Sequence, residues 1–163
     1  MSDSTPQKSM LGWLWLAVLV VVLDLFTKYL ASSSLDYAIS VPVIPGFFNL
    51  TLLHNTGAAF SFLADEAGWQ RWFFAALAAG VSVVLVRWLA AINRDHWLAI
   101  SIVLVLGGAL GNLYDRVVLG YVVDFLHFYW GNYHFPAFNL ADSAISVGAV
   151  MMAIDVFRKP SDA

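Results

Sequence analysis

The sequence predicts an all-α membrane protein: four transmembrane helices, with a small extracytoplasmic β-sheet between spans 1 and 2. Three observations predict it. The 163 residues are 61% hydrophobic and only 12% charged, against roughly 45–50% and about 25% in soluble domains. Four apolar stretches each approach the ~20 residues that cross a hydrocarbon core. A span in lipid must satisfy its own backbone hydrogen bonds, which a helix does. All seven tryptophans (Trp13, Trp15, Trp69, Trp72, Trp88, Trp97 and Trp130) fall near the ends of those stretches or outside them, as an interfacial belt requires.

Met1 to Met10 is polar and reads as a disordered lead-in. The first span covers residues 11–31, and Leu11 to Leu23 carries no charge. Asp24 and Lys28 follow inside the same helix, unlike the apolar core of a secretory signal cut at Ala31-Ser32-Ser33. They stand at i and i+4 in the favourable order for a helix ion pair, so they read as structural. Lys28 could also snorkel to the headgroups. Residues 35–66 form the outer β segment. Val41-Pro42-Val43-Ile44-Pro45-Gly46 reads as extended chain and a turn. Phe48, Leu50 and Leu52 then alternate with Asn49 and Thr51, the period of a half-buried strand. The remaining spans cover residues 70–89, 97–118 and 138–157. No internal repeat divides the chain, so residues 1–163 read as one domain.

Orientation follows from Lys and Arg. With the N-terminus inside, Lys8, Arg87, Arg94, Arg158 and Lys159 lie at cytoplasmic ends, and Lys28, Arg71 and Arg116 at outer ends. The excess favours both termini in the cytoplasm and a short inner connection at Ala90 to His96.

Composition also excludes function classes. A net charge of −3 without a basic run excludes nucleic acid as a partner. The absence of cysteine removes disulfides, thiolate metal sites and a cysteine nucleophile. His54, His96, His127 and His134 show no metal-ligand spacing, and there is no HExxH. No metal and no cofactor is expected.

The candidate chemistry rests on acids placed where acids are expensive. Asp124 closes Tyr121-Val122-Val123-Asp124, and its apolar neighbours argue against a solvated loop acid. Asp142 stands three residues after Asn139, on one helix face that Ser146 continues. These could serve as interhelical polar glue, yet an amide would do that at lower cost than a carboxylate. Two carboxyls meeting in a poorly solvated site suggest one shared proton, hence an acid and a base in one pair. The stretch from Gly107 to Arg116 has small residues for close helix approach. Its Asn112, Asp115 and Arg116 fall on one face. Asp115 reads as the partner of Arg116 at a helix end, while the Arg116 fork also suits a carbonyl, carboxylate or phosphate. In His54-Asn55-Thr56-Gly57-Ala58-Ala59-Phe60, Gly57 permits an unusual backbone and close approach. Asn55 could donate to a substrate carbonyl.

Five blocks in this order resemble the lipoprotein signal peptidases, the type II signal peptidases of bacteria. They are Asp24-x-x-Thr27-Lys28, Asn55 to Phe60, Gly107 to Arg116, Val122-Val123-Asp124-Phe125, and Phe138-Asn139-Leu140-Ala141-Asp142. Leu25 stands where the family often has Gln. The resemblance implies an intramembrane aspartic endopeptidase of the bacterial inner membrane, with its active site at the outer face. It implies cleavage of diacylglyceryl-modified prolipoproteins before the lipidated cysteine, and inhibition by globomycin. Asp124 and Asp142 then look like the catalytic pair. Asn55, Gly57, Asn112, Arg116 and Asn139 look like substrate-binding or supporting residues. Membrane lipid is the other expected partner, and the expected state is a monomer. Two other readings compete: a proton-coupled transporter, and a non-catalytic assembly factor that presents an outer sheet. The first lacks repeated halves; the second leaves the paired acids unexplained.

Overall fold

The computed structural model describes residues 9–57 and 68–158. The lead-in residues 1–8, Lys159 and the outer segment from Ala58 through Phe60 to Glu66 lie outside the described residues. A 3₁₀ turn, Met10–Trp13, runs into helix α1, Leu14–Ser34. Strands β1, Ser40–Ile44, and β2, Phe48–Asn55, follow. Then come α2, Trp69–Ala91, α3, His96–Val118, strands β3, Val122–Trp130, and β4, Tyr133–His134, and finally α4, Leu140–Arg158. Among the described residues, four helices are long and apolar enough to cross a membrane.

Helix α3 is the centre. Its Leu98, Ala99, Ile102, Val103 and Leu106 are buried. The other three turn many large apolar residues outward, such as Val18, Phe26, Val84 and Val150, which is the surface a lipid-facing helix presents. The small residues of α3 let its neighbours come close. A Cβ on Gly107 would meet Ala17 O and Val20 of α1, and one on Gly148 of α4 would meet Ser101 O of α3. Trp13, Trp15, Trp88 and Trp97 gather at one end of the bundle. Trp69 and Trp72 lie at the other, as does Trp130 on the sheet, so the interfacial belt becomes two belts.

The sheet differs from expectation. Among the described residues it has four antiparallel strands in the order β1-β2-β3-β4, and half of them come from the connection between α3 and α4. The sheet is therefore not confined to residues between spans 1 and 2, and the fold is not purely helical. The alternation that marks a half-buried strand is missing from β3. Val122, Val123, Asp124 and Phe125 are all buried, one after another. In β2, Asn49, Thr51 and Leu52 are the buried members, while Phe48 and Leu50 are only half-buried. Thr51 is satisfied there by Ser40 Oγ at 2.8 Å.

Helix α3 stops where Gly120 takes φ +90, the left-handed conformation that a glycine adopts without strain. Leu119 N and Gly120 N both donate to Asp115 O. The chain then reverses into β3. β2 and β3 pair as Leu50↔Leu126 and Leu53↔Asp124. Between those pairs β2 has two residues and β3 one, a bulge beside Asp124 of the kind that re-aims side chains. Phe138 O accepts from Phe125 N and Leu126 N. This clamp sets the start of α4 against the strand that carries Asp124.

Candidate active site

The site begins with the first turn of α4. Asn139 and Asp142 form a reciprocal cap: Asp142 N donates to Asn139 Oδ1 at 2.9 Å, and Asn139 N donates to Asp142 Oδ2 at 3.2 Å. Such a capping box satisfies two amides that a helix start would leave bare. A third, Ala141 N, donates to Asp24 Oδ1 of α1 at 2.9 Å. Asp142 is thus held by its own helix, at the end where the macrodipole favours an anion.

Asp124 arrives from β3, 3% exposed. Asn139 Nδ2 donates to its Oδ1 at 2.8 Å and Asn55 Nδ2 to its Oδ2 at 3.0 Å. Asn139 therefore touches both acids. Asn112 Nδ2 donates to Asp142 Oδ1 at 2.7 Å, while Asn112 Oδ1 accepts from Asn139 Nδ2 at 3.2 Å. The structure brings the two carboxyls to opposite sides of one asparagine network. Burial raises the Asp124 carboxyl to about 6, and the nearby Asp142 charge raises it too, against the hydrogen bond from Asn55.

The asparagines are fixed in orientation by donors that cannot accept. Lys28 Nζ faces Asn112 Oδ1 at 2.9 Å, Gly57 N faces Asn55 Oδ1 at 2.8 Å, and Asp142 N faces Asn139 Oδ1. Each NH₂ group must then turn toward a carboxyl. Gly57 has φ +97, and a Cβ there would meet the Phe74 ring at 2.8 Å, so both its conformation and its close contact require glycine.

Behind this layer lies an ion cluster. Lys28 Nζ stands 2.8 Å from Asp24 Oδ2 and 2.8 Å from Asp115 Oδ2, all three nearly inaccessible. Two expectations change here. Asp115 pairs with Lys28 across helices, and not with Arg116; its Oδ2 also accepts from Val123 N at 3.1 Å, which ties α3 to β3. Lys28 is 3% exposed and does not snorkel, because two buried carboxylates draw it inward. Arg116 donates to Asn112 O at 3.2 Å, lies 5.4 Å over the Phe74 ring, and is within electrostatic reach of Asp142 and Asp124. Ser146 is exposed and takes no part. Phe74, missed in the sequence, supports both Gly57 and Arg116. Among the many aromatics of α2 nothing singled it out. Among the described residues, no group of three or more His, Asp or Glu side chains gathers in a way that would hold a metal.

A family profile described as signal peptidase (SPase) II matches residues 16–158. The chain belongs to the signal peptidase II family. A lipoprotein signal peptidase of Pseudomonas syringae pv. tomato is 58% identical over 97% of this chain and 94% of its own length. One of Pseudomonas aeruginosa strain UCBPP-PA14 is 59% identical over 91% of this chain and 89% of its own. A solved structure described as a bacterial membrane enzyme superposes with a TM-score of 0.84 at 33% identity, covering 96% of this chain and 99% of that one. This signal peptidase II is a multi-pass membrane protein and an aspartic-type peptidase, and the family removes signal peptides from prolipoproteins. An aspartic peptidase works with two carboxyls, and Asn139 is bonded to two, Asp124 and Asp142.

Proposed function

We propose that Asp124 and Asp142 are the acids with which this signal peptidase II cuts prolipoproteins, and that both act on one water. The observation that carries this is the asparagine shared between them: Asn139 bonds to both carboxyls at once. One carboxylate takes a proton from water while the other, protonated, polarises the scissile carbonyl. Water attacks, a tetrahedral gem-diol forms, and the acid passes its proton to the leaving nitrogen. Asn55, Asn112 and Asn139 hold the carboxyls in place. Arg116, set on Phe74, offers its fork to the substrate backbone, and Gly57 lets the chain come close.

The substrate is a diacylglyceryl-modified prolipoprotein, cut just before the lipidated cysteine, with the acyl chains lying among lipid between helices. The sheet receives the extended peptide. β1 is its fully exposed edge, suited to pairing with another strand. The enzyme sits in the bacterial inner membrane as a monomer, both termini in the cytoplasm and the site at the outer face. Its inhibitor by family resemblance is globomycin. The buried state of Lys28 strengthens that orientation, since it leaves only Arg71 and Arg116 as outer-end cations against five inner ones.

The test is cleavage by purified protein in lipid. A diacylated prolipoprotein is shortened, and an unacylated one is not. Asp124→Asn and Asp142→Asn each lose on the order of a thousand-fold in rate while remaining folded. Near-normal turnover in either variant removes that residue from the chemistry.

A further inference from the structure

Two imidazoles meet on the sheet, outside the asparagine network. β3 and β4 pair as Tyr129↔His134. Side chains alternate along a strand, so His127 shares the face of Tyr129 and lies diagonal to His134, within reach of long side chains. His127 Nε2 stands 3.1 Å from His134 Nδ1, with ring centroids 5.1 Å apart. The other nitrogen of His127 is engaged from behind: Nδ1 lies 3.1 Å from Thr51 Oγ1, itself 2.8 Å from Ser40 Oγ. The His134 ring is stacked on Tyr129, the planes 9° apart. Each ring is therefore oriented by a separate partner, with one nitrogen turned to the other ring.

That spacing suits ligation as well as hydrogen bonding. Nitrogens bound to one cation at about 2.0–2.1 Å lie about 2.9 Å apart at a right angle and about 3.4 Å apart at the tetrahedral angle. The observed 3.1 Å falls between them. We propose that His127 and His134 are a two-imidazole site for a late first-row divalent cation, Cu(II) or Zn(II), with water completing the coordination. Thr51 accepts the Nδ1 proton of His127 and so presents its Nε2 lone pair, the orienting role that ligating histidines ordinarily require. On binding, His134 gives up the Nδ1 proton it shares with His127 and takes the Nε2–H form. The bound cation would tie the two-residue strand β4 to the sheet. The hairpin brings together two histidines seven residues apart, a spacing that signals nothing in the linear sequence.

The experiment uses tag-free full-length protein, stripped with a chelator and titrated with Cu(II) alone and with Zn(II) alone. One equivalent should bind, and the Cu(II) spin spectrum should show coupling to two imidazole nitrogens. His134→Ala should weaken binding at least ten-fold. His134 is exposed, so this variant is expected to fold normally. His127→Ala should match it, and Thr51→Val should fall between wild type and these. Undiminished affinity in His134→Ala overturns the proposal, as does a spectrum with no imidazole coupling.

Discussion

Each oxygen of the two acids faces a donor that cannot turn round, because Lys28, Gly57 N and Asp142 N fix the three amides. The arrangement makes Asp124 the more informative residue. Its carboxyl is raised from 3.8 to about 6, first by burial. The folded protein therefore keeps a proton there that the unfolded chain releases. That contribution to stability is complete below about pH 4 and is lost as pH rises through about 6. A shift of this size corresponds to about 3 kcal/mol. Thermal unfolding in detergent should show wild type losing stability relative to Asp124→Asn between about pH 4 and pH 7, with no further divergence above. Parallel curves throughout would mean that Asp124 keeps ordinary acidity. Lys28 makes the opposite case. Removing its charge leaves Asp24 and Asp115 buried without a cation, and breaking such a cluster costs about 3–5 kcal/mol. Lys28→Met should sharply reduce the yield of folded protein, whereas a surface lysine would tolerate the change.

Helix α3 carries the geometry of the site because its small face admits the other helices to contact. A Cβ on Gly111 would stand 2.5 Å from Asp24 Oδ2, next to the residue that holds the α4 amide of Ala141. Gly111→Ala should therefore push α1 and α4 off α3 and displace Asn112 from Asp142. The expected result is a loss of turnover of tenfold or more, on the order of 1–3 kcal/mol for an overpacked contact. Gly80→Ala on α2 is the control. Nothing lies within 4 Å of a Cβ there, and alanine in a helix interior gains up to about 1 kcal/mol over glycine. A Gly80 variant that loses as much as the Gly111 variant would refute the contact argument. The sequence showed the small-residue stretch and the Asn139–Asp142 spacing, both direct consequences of helical period. It did not show β3. Val122 to Phe125 is covered on both faces, and without alternation an apolar run of four has no strand signature. The Lys28–Asp115 pair was also hidden, because Arg116 is adjacent in sequence and the partner across the bundle is 87 residues away.

At the scale of the whole molecule, the ends of the bundle are chemically unequal. One end carries the sheet, the carboxyl pair and the β3–β4 hairpin; the other carries the short connection between α2 and α3, with Arg94 in it. Positive charge favours the cytoplasm for the second end. The seven tryptophans mark two boundaries but treat them alike, so the proposed direction rests on charge. Because Lys28 is consumed internally, the bias is stronger than a plain count of basic residues suggests. The chain has no cysteine, so a single introduced thiol reports its own side of the membrane. Asn132 lies exposed in the turn between β3 and β4, and Asn93 lies exposed in the connection between α2 and α3. With the outer membrane permeabilised, a membrane-impermeant maleimide should label Asn132→Cys in otherwise intact cells. It should reach Asn93→Cys only after the inner membrane is broken. The reverse pattern would turn the protein over, put the carboxyl pair on the cytoplasmic side, and remove the outer-face assignment with it.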